Sequence, residues 1–233
     1  MATAAIAEHH AAGHHRTSTG LPSTKIAIWA FIGSECLFFM SLISTYLIYK
    51  GRSVVGPLPH EWTCPGATGP AGVAVGYATA ALARAHCAAP LKPILNTPVT
   101  STSTFVLLMS SLAMVLAHSA VVRGDVRYSK VWLAGTALLG TTFLGFQAFE
   151  FTSFVHEGLT IRTNLFGSSF FTLTGFHGAH VTAGVIWLTT LLFIDFRRGL
   201  GPRDALNVDL CALYWHFVDV VWIAIFTLVY LIK

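Results

Sequence analysis

Acidic and imidazole side chains sit inside stretches that otherwise read as hydrocarbon. Glu35 lies in IAIWAFIGSECLFFMSLISTYLIY (Ile26 to Tyr49), His118 near the end of the second apolar stretch, Glu150 in the third, His177 and His180 in the fourth, and His216 and Asp219 in the last. Placing an ionisable group in hydrocarbon costs at least ~2.5–3.5 kcal/mol, so such residues face a partner, a cavity or a bound head group. His177 and His180 are three apart and share a helix face, and His216 and Asp219 repeat that spacing. Three chemistries are open to them: metal ligation, proton transfer, or helix-to-helix and helix-to-lipid pairing. Carboxylate-bridged metal bundles use Glu-x-x-His pairs, and none occurs in this sequence. Pairing is therefore the first reading and proton transfer the second. His216 and Asp219 are expected to pair with each other or with a neighbouring helix. His118 is expected at the interface, and Glu150 within reach of water. A lone intramembrane histidine can ligate haem, but no two histidines on separate helices are marked by spacing as a haem pair. No nucleophile triad, phosphate loop or zinc spacing is present.

These residues need helices to hold them. The chain of 233 residues is 54% hydrophobic and 10% charged, with mean hydropathy +0.66, against about 25% charged for soluble domains. Five stretches reach the ~20 apolar residues that a span requires: 26–49, 98–122, 130–152, 166–194 and 208–232. The predicted fold is an all-α polytopic membrane bundle of five transmembrane helices, because backbone groups in lipid must bond within their own segment. Residues 1–25 read as a mobile tail whose His9, His10, His14 and His15 would catch metal only adventitiously, and residues 1–24 lack the apolar core of a cleaved signal. Residues 26–233 form the membrane domain. The net charge of +4 comes from basic residues at span ends, which points to anionic lipid head groups and not to nucleic acid. Arg16, Lys25, Arg123, Arg127, Lys130, Arg197, Arg198 and Arg203 fall on one face, so the N-terminus is expected in the cytoplasm and Lys233 outside.

The long 50–97 connection opens on Gly51, Gly56, Pro57 and Pro59. Its Ala/Gly-rich stretch Ala71 to Ala89 is interrupted by Arg84 and His86 and reads as a helical or irregular excursion at the membrane surface, not a sixth span. Cys64 and Cys87 share this loop. On an oxidising face they read as a disulfide; the alternative is two unpaired thiols. Cys36 and Cys211 read as inert packing residues. Trp62, Trp132, Tyr128 and Tyr230 are candidates for the aromatic interface belt. Gly167, Ser168, Ser169, Gly175, Gly178, Ala179 and Gly184 would let the fourth helix approach its neighbours closely.

GSSFFTLTGFHGAHVTAGVIWL (167–188) and YWHFVDVVW (214–222) resemble two signatures of subunit III of the haem–copper oxidases. IGSECLFF (32–39) resembles that family's glutamate-bearing helix, and LNTPVTSTSTF (95–105), AHSAVVRGD (117–125) and GFQAFEF (145–151) match intervening segments in the same order. The likeness runs from about residue 26 to the end and is to the family's five-helix bacterial form; the 56–94 loop is longer than that form suggests. The resemblance implies a subunit without haem or copper of its own, set beside a redox-active subunit I and an electron-receiving subunit II in the bacterial cell membrane. It implies stabilisation of the catalytic subunit, support of proton uptake, phospholipid held in a cleft, and a route for oxygen. Carried over by position, Glu35 is the family's intramembrane glutamate, and His177, His180, His216 and Asp219 belong to its polar core. Cytochrome c is the expected donor of the complex. A quinol oxidase, a homologue beside a nitric oxide reductase, and an independent proton transporter are the alternatives.

Overall fold

A computed structural model describes residues 22–232, and the N-terminal histidines and Lys233 lie outside the described residues. Five helices are long and apolar enough to cross a membrane. They are α1 (Ser23–Tyr49), α3 (Thr97–Arg123), α4 (Val126–His156), α5 (Leu165–Arg198) and α6 (Ala205–Phe226), the last prolonged by a π-turn over Thr227–Leu231. The chain divides at Leu37/Phe38 into two units. The described part of the first is the opening of α1, with Trp29 and Phe31 exposed. In the second unit, α3 packs on α4 and α6, and α5 packs on α4 and α6, which closes a four-helix ring.

The helix ends follow local chemistry. Asp125 accepts from the Tyr128 amide at the start of α4, and Asn164 accepts from the Gly167 amide at the start of α5, each satisfying an orphan N–H of the first turn. Gly124 ends α3 in the left-handed region, φ 75°, where a side chain is penalised. Within the spans, hydroxyls turn back to their own helix: Thr174 donates to the Phe170 carbonyl at 2.6 Å and Thr182 to Gly178 at 2.8 Å. No hydroxyl so paired is presented bare to hydrocarbon.

The 50–97 segment is a small lobe. Strands β1 (Trp62–Thr68) and β2 (Ala74–Tyr77) form an antiparallel hairpin, followed by the short helix α2 (Ala80–His86). The expected helical or irregular excursion is thus partly sheet: VAVGY alternates with a period of two, Ala71 and Gly72 take the positive φ of the reversal, and Gly66 takes it at the irregularity within β1. Cys64 is disulfide-linked to Cys87, with Cα atoms 5.8 Å apart, and this ties β1 to the end of α2.

The lobe grips the helix ends beneath it. Asn164 Nδ2 donates to the Val55 carbonyl at 2.9 Å, and the Phe166 amide donates to Ser53 Oγ at 3.1 Å. Lys92 pairs with Glu157 at 2.5 Å. Lys50 Nζ donates to the Ile232 carbonyl at 2.6 Å, and His60 Nε2 contacts the Val229 carbonyl at 3.1 Å. Desolvation in that position lowers the Lys50 ammonium from its ordinary range. Tyr230, expected at the interface, is instead buried against Phe226 and Phe170, because the π-turn folds it back under the lobe. Cys211 is buried, whereas Cys36, expected to pack, is exposed.

At the opposite end, Asp195 is fully buried. It accepts from Ser129 Oγ at 2.6 Å and from the Leu200 amide at 2.7 Å, joining α5 to α4 and to its own exit loop. Asp195→Ala is expected to leave a buried hydroxyl and a buried amide unpaired and to cost about 1–3 kcal/mol, read as a lower unfolding temperature in detergent. For the lobe, alkylation of the unfolded, unreduced chain is expected to label Cys36 and Cys211 alone, with Cys64 and Cys87 labelled only after reduction.

Candidate functional site

Several polar side chains inside the ring pair from one helix to the next. On the α3/α6 seam, Trp222 Nε1 donates to Thr104 Oγ1 at 2.9 Å, and Trp215 Nε1 donates to Ser110 Oγ at 3.0 Å. His216 Nδ1 and Ser111 Oγ meet at 2.5 Å. Ser110 and Ser111 lie six and seven residues after Thr104, and Trp215 and His216 lie seven and six before Trp222, so two turns of antiparallel helix register the three polar contacts along one seam. His216 therefore pairs across the seam and not with Asp219. The Asp219 carboxyl, 3% exposed, faces Ser111 from α6 without a completed hydrogen bond.

Trp215 fits where it does because glycines make room. A Cβ on Gly140 of α4 would come within 2.6 Å of its ring, and one on Gly184 of α5 within 2.7 Å. The small-residue reading of α5 holds for Gly184, for Gly178 against Gln147 (2.9 Å) and for Gly167 against the Thr160 carbonyl (2.5 Å). Gly175 differs, since a Cβ there meets nothing within 4 Å.

His177 is 0% exposed, stacked on Trp222 at 4.9 Å and edge-on to Phe143 at 6.0 Å, with neither ring nitrogen hydrogen-bonded. Gln147 of α4 donates to the Thr174 carbonyl at 2.8 Å and leaves its own oxygen unpaired. His180, half-buried, contacts the Phe176 carbonyl through Nδ1 at 2.8 Å and turns its ring to Phe39 of α1 at 5.0 Å. Its backbone oxygen accepts from Tyr214 Oη at 3.0 Å. Glu35 is half-buried midway along α1, and His118 is half-buried toward the end of α3.

Glu150 is 6% exposed, more buried than expected. It accepts from Thr100 Oγ1 of α3, beside Tyr230, and lines a polar pocket of about 360 Å³ with Lys92, Asn96, Ser153 and Glu157.

Within the second unit the six predicted residues spread over several seams and levels, and among the described residues no three of His, Cys, Asp and Glu come together as a metal ion would need. Sequence reasoning missed Asp195, Gln147 and the serine and threonine partners. Asp195 carried a readable signal: an acid near a span end, five residues before the free amide of a glycine-bounded loop.

The family described as Cytochrome c oxidase subunit III matches residues 3–233. The chain is 35% identical over 206 residues to "Cytochrome c oxidase subunit 3" of Bacillus sp. (strain PS3), covering 88% of this chain and 84% of that protein. It is 41% identical over 209 residues to "Probable quinol oxidase subunit 3" of Staphylococcus saprophyticus, 89% of this chain and 88% of the relative. With "Cytochrome bo(3) ubiquinol oxidase subunit 3" of Pseudomonas aeruginosa it shares 32% over 238 residues, 99% and 98% of the two chains.

Gly184→Leu is expected to displace Trp215 and break its bond to Ser110, at a cost of about 1–3 kcal/mol from overpacking. A lower unfolding temperature and a shifted tryptophan emission would report it.

Proposed function

The chain belongs to the cytochrome c oxidase subunit III family, and on that membership we propose that it is an accessory, non-redox subunit of a terminal respiratory oxidase. It stabilises the catalytic subunit I, holds phospholipid and supports proton uptake, with oxygen access through apolar, lipid-filled space. Haem and copper belong to the partner subunits I and II. The observation that carries this reading is the use made of the buried polar groups: Trp222–Thr104, Trp215–Ser110, His216–Ser111, Glu150–Thr100 and Asp195–Ser129 each join one helix to another. A scaffold needs that arrangement, and a ligand set for a redox centre does not provide it. The charge distribution supports a bacterial cell membrane orientation with the N-terminus cytoplasmic and the disulfide-bearing lobe outside.

The donor has two readings. Relatives carry both cytochrome c oxidase and quinol oxidase names at similar identity, and the donor docks on another subunit. Purification through this chain tests the main reading: a haem-bearing complex is expected, and a stable lone protein that conducts protons in liposomes would contradict it. Oxygen uptake driven by reduced cytochrome c or by quinol then separates the donors.

Glu35→Ala is expected to leave the haem spectrum of the complex intact while lowering lipid retention or the number of turnovers before inactivation. Unchanged lipid content together with unchanged durability would contradict the role given to Glu35.

A further inference from the structure

The α3/α4 face beneath the lobe carries two cavities of opposite character. One is the polar pocket of about 360 Å³ at the helix ends, with Lys92, Asn96, Glu150, Ser153 and Glu157 on its wall. The other is an apolar groove of about 610 Å³ lined by Val99, Thr142, Gly145, Phe146 and Phe149. Val99 and Phe149 line both, so the two meet there. Phe149 is 65% exposed. Thr142 spends its hydroxyl on the Leu138 carbonyl at 2.8 Å and adds no free donor to the groove.

The depth of each part fits a bilayer. The pocket lies at the start of α3 and the C-cap of α4, at the level of head groups. Gly145 lies 12 residues before Glu157, roughly 18 Å along the axis, close to the reach of one leaflet in a hydrocarbon core ~30 Å thick. The charges are specific as well. Two carboxyl groups, Glu150 and Glu157, face one ammonium, Lys92. Lys92 is paired with Glu157, but its side chain is 61% exposed and can swing to an anion, which leaves the two carboxyl groups to a second cation.

We propose that this face seats one phospholipid with a primary-amine head group, its ammonium between Glu150 and Glu157, its phosphate on Lys92, and an acyl chain along the groove past Gly145. The charge pattern selects the zwitterion: a purely anionic head group would meet two carboxylates with one lysine to offset them. The seat lies on α3 and α4 and rests on the accessory-subunit reading only for the complex in which it is tested.

The test uses the intact complex purified through this chain, stripped of lipid in detergent and resupplied with phosphatidylethanolamine or phosphatidylglycerol. Gly145→Leu fills the groove without touching the bundle, since a Cβ there meets nothing within 4 Å. Lys92→Gln and Glu157→Gln alter the pocket at the surface. The parent complex is expected to retain about one more phosphatidylethanolamine than either the Gly145→Leu complex or the Lys92→Gln/Glu157→Gln complex, counted by mass spectrometry, with no such difference for phosphatidylglycerol. Equal retention in parent and variants, equal preference for the two lipids, or loss of a neighbouring subunit in place of a lipid would each overturn the seat. Failure to recover any oxidase subunits with the parent chain would instead overturn the accessory-subunit reading.

Discussion

Hydrocarbon offers no hydrogen bonds, and this molecule is organised around that lack. Backbone groups close within helices. Serine and threonine hydroxyls close onto their own turns, as Thr174 and Thr182 do. What remains is the set of groups that a single helix cannot satisfy: indole N–H, imidazole and carboxyl. Several find a partner on a neighbouring helix, and each that does fixes a rotation and a level between two helices, whereas His177 and Asp219 stay unpaired and His180 turns to a carbonyl of its own helix. Trp222 on Thr104 and Trp215 on Ser110 set the register of α6 on α3, and Asp195 on Ser129 sets α5 on α4 at the other end. Apolar packing alone would leave these helices free to slide, since lipid tails are as apolar as leucine.

Close approach makes those bonds reachable. Trp215 reaches Ser110 because Gly140 and Gly184 leave its ring room between α4 and α5. Glycine in the middle of a helix is unfavourable by about 1 kcal/mol against alanine. Here it admits a large buried ring that carries a hydrogen bond at its edge. The lobe then fixes the far end, where Lys50, Ser53, Val55 and Lys92 link it to the termini of three helices, α6, α5 and α4. A hairpin and a disulfide give that clamp rigidity that a Gly/Pro-rich loop of the same length would lack.

The spans were legible because length and hydropathy report them directly; the structure extends most by a few residues into the interfaces. Family membership was legible because the motifs retain both identity and order. Pairings were harder. His216 and Asp219 on one face left open whether they meet each other or a neighbouring helix, and His216 takes the second course because Ser111 lies directly across the seam. Nothing in the local sequence of α6 announces a serine more than a hundred residues earlier. Tyr230 misled for a related reason: interface aromatics and buried ones look alike in sequence, and the π-turn that buries this one is a feature of backbone geometry. The hairpin in 50–97 was hidden by composition, since alanine and glycine in a short alternating stretch resemble a weak helix as much as a weak strand.

The distribution of the polar groups bears on what they can do. Proton relays and metal centres need donors and acceptors within hydrogen-bond reach of one another. Here the contacts are local, with Glu150 and Thr100 near the lobe, His216 and Ser111 within the α3/α6 seam, and Asp195 and Ser129 at the opposite end. His177 sits among aromatic rings with both nitrogens unpaired, so it offers a proton no onward partner among the described residues. Separated contacts of this kind hold α3, α4, α5 and α6 to one another at several levels of the bundle.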